Sequence, residues 1–427
     1  MIFILKKTLI VFIILLLSFS QLVCCVKITN SEKIFKEDLE NVELDLLRAE
    51  HYLYLKANED VGSFNLRYTF PPEYGYQLPI FLEILDDSNA NIIKYKIEND
   101  RFEPNKFVNF TIGPMEKDEI VFIHFNFWVL VKNYNYSDLP SYVEIPSKND
   151  LPNETKQWLS STQVVQTNKI LIKLRARQMK FLTNNIFTLA DRIAKFSKSH
   201  RYWFFLIQYT FQTYKSQDAF TTLLRNGECP GRSHLGCALF RANGVPARVL
   251  IGIPCFDFWC EMHYMMEYYC NPVYGWILTN VHNGTTPYEP KYDIIQRICY
   301  TEDENNTQTD FINPKMKGIE RWIWIDNENV SPYYKDLKEG SKSKGVSENS
   351  VFIDSMVAND TVTLTKDVFS KFENYLNFDL TGENKEHFQN ATQYQMKALD
   401  EFKDATNTFG YIYYMNYANI EYDKIII

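Results

Sequence analysis

Between residues 26 and 150 the apolar positions fall in short aromatic and β-branched runs, FNLRYTF, PIFLEIL, FVNFTIG and EIVFIHFNFWVLV. Their partial alternation, and the Pro, Asn and Asp clusters between them, predict strands. This region reads as a β-rich, sandwich-like domain. At its start Leu39, Val42, Leu46 and Leu47 recur at helical spacing and predict an opening helix over about 36–57. The Pro-containing stretch 137–152 reads as a linker. Beyond residue 168 the period lengthens to that of a helix. NKILIKLRARQMKFL, NIFTLADRIAKFS and RYWFFLIQYTFQTY predict three helices that lead into QDAFTTLLRNGEC. Strands are expected again from the cysteine region to about 326. The polar stretch DLKEGSKSKGVSENS reads as a surface loop opening a C-terminal extension over 331–427, with one amphipathic helix over about 384–406 and a strand-like aromatic end.

A chain of 427 residues can bury two or three cores. Its formal charge of −8, with no basic run, argues against nucleic acid or an anionic membrane as partner. The first residues, MIFILKKTLIVFIILLLSFSQLVCC, place Lys6 and Lys7 before an apolar run too short to span a bilayer. They read as a signal peptide over 1–25, and the rest as secreted or held at the cell surface. Eight Asn-x-Ser/Thr sequons, at Asn109, Asn135, Asn153, Asn283, Asn305, Asn329, Asn359 and Asn390, are compatible with export.

The stretch NGECPGRSHLGC carries the chemistry. Pro230 follows Cys229, and Leu235, Ala238, Leu239 and Ala242 continue at helical spacing until Gly244. Proline inside the start and glycine past the end place Cys229 at a helix N-terminus. A thiol there faces unpaired N–H groups and the positive end of the helix dipole, which favour the nucleophilic thiolate. Cys237, two turns further in, is a packing residue. Downstream, EMHYMMEYYCNPVYGWILTN reads as a hairpin. A two-residue turn at Asn271–Pro272 would set His263 opposite Asn280. A histidine beside a helix-start thiol can act as base and acid, and a third group fixes its ring. Asn280 can accept the ring N–H but brings no negative charge. His282 and Asp257 are alternatives for that place. His234 reads as a solvated or capping residue, and Trp259 as a candidate for a second oxyanion donor.

These residues resemble the transglutaminase-like superfamily. GECPGRSHLGCALFRANGVPARVLIG, then HYMMEYY, then YGWILTN follow its pattern of a Cys helix, a His strand and a triad position after Gly-Trp. The resemblance implies an α+β core over 160–330, with a Cys-bearing helix packed on an antiparallel sheet. It implies Cys229 as nucleophile, His263 as base and Asn280 at the third position, where the family usually has Asp. Met265 stands where an aromatic is common, a departure expected to alter the substrate channel. The implied activity is acyl transfer or hydrolysis at a protein or peptide amide through a thioester, with no metal or organic cofactor. A cysteine peptidase or amidase, and a catalytically silent binding protein, are the alternatives. Arg248 and Trp276 read as structural. With Cys229 reactive and Cys237 buried, Cys255, Cys260, Cys270 and Cys299 suffice for two disulfides in an exported chain. A zinc set of Cys255, Cys260, His263 and Cys270 is a rival without paired Cys-x-x-Cys spacing.

Overall fold

In the computed structural model, which describes residues 41–132, 136, 139–199, 217–224, 227–255, 258–260, 263–289, 293–304, 323–333, 342–405 and 407–427, every second residue from Leu47 to Ala57 is buried. That period of two belongs to a strand, and the expected opening helix is instead β1, Asn41–Ala57. The adjacent pair Leu46 and Leu47 mimics helical spacing because both are buried; beside them the pairing with residues 342–354 slips, with the extra residue, Glu348, on the opposing strand. The leader over 1–25, the third helix over 201–214 and Asp257 lie outside the described residues.

After β1 come β2 (Phe64–Phe70), β3 (Gln77–Ile84), β4 (Ile92–Asn99), β5 (Lys106–Ile112) and β6 (Ile120–Lys132). A 3₁₀ turn, Asn153–Leu159, precedes α1 (Ile170–Lys180), α2 (Ile186–Ser199), α3 (Ala219–Leu224) and α4 (Cys229–Ala242). Then follow β7 (Ala247–Pro254), β8 (Phe258–Cys260), β9 (His263–Asn271), β10 (Gly275–Thr279), β11 (Asp293–Ile298), β12 (Ile323–Ile325), β13 (Val330–Pro332) and β14 (Lys342–Asp354). Three helices close the chain: α5 (Ser355–Leu376), α6 (Gly382–Ala405) and α7 (Thr408–Asp423).

Three antiparallel sheets result, ordered β3–β6–β1–β14–β8 with β13 also on β1, β12–β2–β5–β4, and β10–β9–β7–β11. Aromatics join the first two: Phe125 and Phe127 of β6 meet Tyr68, Phe70 and Phe110, with ring centroids 5.0–5.7 Å apart. The third sheet carries α4, as an α+β core requires. Glycine at position 236 allows that approach: a Cβ there would lie 2.5 Å from Met266 Sδ of β9, and the methionine side chain would have to shift.

Two expectations at the C-terminal end need correcting. Residues 342–350 of the expected loop belong to β14, which pairs with β1 along its length. Their polar composition hid them, because only alternate positions, Ser343 and Gly345, are buried. Gly345 crosses so close to β7 that a Cβ would fall 2.2 Å from Pro254 O. The strand-like aromatic end is α7, whose buried Tyr411, Met415, Ala418 and Tyr422 keep helical spacing. Helix α6 matches the expected amphipathic helix, and α5, absent from the sequence reading, is capped by Asp354, which accepts from the Met356 N–H at 2.8 Å. Among the described residues no helix is long and apolar enough to cross a membrane.

Candidate active site

Cys229 is the first residue of α4, with Glu228 extended at the N-cap and Pro230 next. The Glu228 side chain does not cap the helix. Gln217 does so from outside: its Oε1 accepts from the Glu228 N–H at 3.0 Å and the Gly231 N–H at 3.2 Å. The Cys229 N–H lies between these two. Gln217 is itself fixed, because buried His234 donates from Nδ1 to its carbonyl at 2.7 Å. His234 is therefore neither solvated nor a cap, and Gln217 is the functional neighbour that sequence reasoning missed. No periodicity marks it, since it precedes the cysteine by most of a separate helix. The thiol stands where helix-start N–H groups and dipole favour its anion.

The other end of α4 closes as a Schellman motif. Val245 N–H donates to Phe240 O and Gly244 N–H to Arg241 O, with Gly244 at φ +82°. This end is held by charge as well. Arg241 donates to Ala247 O at 2.8 Å, to Ser160 O at 3.0 Å and to Glu304, and both side chains of that pair are wholly buried. Arg248 of β7 pairs with Glu267 at 2.9 Å, donates to the Tyr74 hydroxyl at 2.6 Å and lies 4.0 Å from the Trp276 ring. Both arginines are structural, as is Trp276.

His263 opens β9, the strand beneath α4. The β9–β10 ladder pairs Thr279 with Met266 and Trp276 with Tyr269, two residues away from the expected register. The turn is longer than two residues. Asn271 Oδ1 accepts from the N–H groups of Val273 and Tyr274, both at 2.9 Å, and Gly275, at φ +61°, forms a bulge. A slip of two keeps every side chain on its own face, so Asn280 becomes the diagonal rather than the direct neighbour of His263. It still acts on the His263 ring, favouring its charged form. Arg232 ties the helix start to the same corner, donating to Gly227 O at 2.9 Å and His282 O at 3.2 Å.

Burial first, then the nearby His282, pushes His263 down to about 4, against the Asn280 oxygen, which favours the charged ring. At neutral pH the ring is neutral and able to take a proton. His282 stands edge-on with its ring centre 5.9 Å away, so it modulates this ring. Reactivity that needs neutral His263 is therefore retained as pH falls and lost below about pH 4. His282→Ala removes one influence that lowers the pKa, so this acid limb moves to higher pH. Iodoacetamide labelling of Cys229 across pH measures it, and an unmoved limb refutes the coupling.

Several other expectations fail. No disulfide joins the described cysteines. Cys270 on β9 and Cys299 after β11 are separated by the intervening β7, about 10 Å at ladder spacing, beyond the roughly 7 Å a bridge tolerates. Burial raises both thiols, Cys270 to about 12. Cys270 and His263 also point to opposite faces of β9, seven residues apart in a period of two, which breaks the zinc set. Met265 is fully buried, so it lines no open channel. The Trp259 side chain lies outside the description.

With this geometry in place, residues 176–281 also match the family described as the Transglutaminase-like superfamily. That segment is a transglutaminase-like core. No curated protein matches the chain. Among solved structures, a "Putative Cysteine Protease" from Cytophaga hutchinsonii is 14% identical with a TM-score of 0.47, over 71% of this chain and 98% of that one. In this core α4 packs on β9 and on the residues that follow β10, with Gly236 against Met266 and Val281, and Gln217 reaches the start of α4 from upstream.

Proposed function

We propose that the chain is a cysteine-dependent acyl enzyme acting on protein or peptide amides. The observation that supports it best is the thiol of Cys229 at the first position of α4, a helix that packs on β9, the strand His263 opens. In this reading neutral His263 takes the thiol proton and the Cys229 sulfur bonds the amide carbon. The oxyanion is met by N–H groups at the start of α4. The C–N bond then breaks, and His263 hands its proton to the departing amine, leaving a thioester. Water or a second amine attacks the thioester and regenerates the thiol. The leader-like residues 1–25 and the sequons support export as the setting for this chemistry.

The test is product analysis by mass spectrometry on a glutamine peptide, with and without a primary amine. Transfer gives the amine adduct, hydrolysis gives deamidation or cleavage regardless of amine, and absence of all three favours the silent binding protein. A wild-type chain in which Cys229 labels no faster than the buried cysteines contradicts the enzyme reading.

A further inference from the structure

The outer face of the sheet β12–β2–β5–β4 ends in a cleft of about 450 Å³ whose lining includes neither Cys229 nor His263. Strand pairing sets its floor. Arg67 of β2 is paired with Trp324 of β12 on one side and with Asn109 of β5 on the other. Two residues along, Asp326 accepts from the Asn65 backbone N–H at 2.8 Å and from its side-chain amide at 2.9 Å. The Asn65 side-chain oxygen accepts from Thr111 Oγ1 at 2.9 Å, so this residue is fixed at both ends. A period of two turns both rows to the same face, about 10 Å wide across three strands. The end wall is Arg297 of β11, buried between Asp100 at 2.7 Å and Asp303 at 2.9 Å. The Phe107 ring lies 5.5 Å from this guanidinium and stands edge-on to Trp324, with centroids 4.7 Å apart.

The chemistry of the lining selects the ligand. Three arginines and three aspartates line the cleft, so its formal side-chain charge is zero. Arg297 is matched by its two carboxylates, and Arg101 by Glu302 at 3.6 Å, which leaves no excess charge for an anion or a metal ion. A donor, an acceptor and a ring are left to meet a ligand. The Arg67 side chain, 53% exposed, makes no hydrogen bond among the described residues, and Glu98 lies 3.8 Å away. Asp326 is exposed and has lone pairs beyond those that Asn65 uses. Trp324 is 37% exposed, in the same row as Arg67. A hydroxyl both donates and accepts, so Arg67 and Asp326 together can satisfy hydroxyls on one ring, while the C–H face of that ring lies on the indole. A neutral sugar combines these features. The volume falls within the about 300–1,000 Å³ of small-ligand sites. We propose that this cleft is a binding site for a neutral carbohydrate, stacked on Trp324 and hydrogen-bonded by Arg67 and Asp326.

The experiment applies the full chain to an array of neutral oligosaccharides built from glucose, galactose, mannose and N-acetylglucosamine, with sialylated and sulfated glycans beside them. The affinity of each bound glycan is then measured by isothermal titration calorimetry, and the folding of each variant by circular dichroism. At least one neutral glycan is expected to bind. Trp324→Ala and Arg67→Ala are each expected to weaken it about tenfold, the worth of one stacked ring or one hydrogen bond. Arg67→Ala, at an exposed position, carries the test where Trp324→Ala does not fold. Phe352→Ala, which removes a 68% exposed aromatic on β14, is expected to leave the affinity unchanged and so separates the site from general stickiness. Cys229→Ala is expected to bind as wild type, since the cleft does not rest on the acyl-enzyme reading. Binding of no neutral glycan, or wild-type affinity in Trp324→Ala and Arg67→Ala, overturns the proposal. Binding confined to sialylated or sulfated glycans overturns it too, since that marks an anion site on the arginines. Loss of binding in Cys229→Ala places the sugar elsewhere and does the same.

Discussion

Cys229→Ala removes all fast thiol labelling and all turnover, and His263→Ala slows both by about 10²–10⁴-fold, the usual worth of a general base. The two losses have one origin. Cys229 is half-buried at the first residue of α4, where helix-start N–H groups favour its anion, but its proton has to go somewhere. His263 is kept neutral by burial, so it can accept that proton at pH 7. The double variant is accordingly no slower than Cys229→Ala alone, since residues acting as one unit are not additive. Cys237 provides the control. It is fully buried in the same helix, its thiol pushed far up by burial, and Cys237→Ala retains the fast labelling. Labelling kinetics resolved by peptide mass spectrometry decide it. Fast labelling that survives Cys229→Ala, or is unchanged in His263→Ala, contradicts the assignment.

How far this site could be read from sequence depends on how local each determinant is. Helix α4 was legible because Pro230 and Gly244 mark its ends within its own residues. The hairpin was legible as two strands, but its register depends on a turn whose Asn271 side chain and Gly275 bulge add to the count. The error was even, so the His263–Asn280 face survived it. An odd error would have lost the site. Position 46–47 shows the opposite case. There five successive residues, 43–47, are buried, and a strand looks helical until the alternation from Leu47 to Ala57 is counted. Gln217 carried no signal, because it acts through a contact made only once its segment meets the helix start. Glu304 is a further case, a buried carboxylate whose partner Arg241 is 63 residues back along the chain.

Glu304→Leu is expected to destabilise the core by about 3–5 kcal/mol, the cost of leaving a buried charge without its partner. Arg241 and Glu304 have no solvent exposure, so water cannot replace either. Glu304 also accepts from Thr162 Oγ1 at 2.8 Å, and Arg241 holds two backbone carbonyls besides. Losing the carboxylate therefore strands a guanidinium between acceptors that do not neutralise it. Replacing both residues, Arg241→Met with Glu304→Leu, removes the stranded charge, and the double variant is more stable than Glu304→Leu alone. An exposed pair sets the scale. Lys195 and Asp191 are 69% and 47% exposed, and Asp191→Ala moves stability by less than about 1 kcal/mol. Urea unfolding followed by tryptophan fluorescence, with Trp158 and Trp276 beside this end of the core, measures all three. The pair lies at the far end of the helix that begins with Cys229, so the fast labelling of that thiol disappears at the same urea concentration as the core. If Glu304→Leu unfolds within 1 kcal/mol of wild type, the Arg241 pair is not what holds that helix in place.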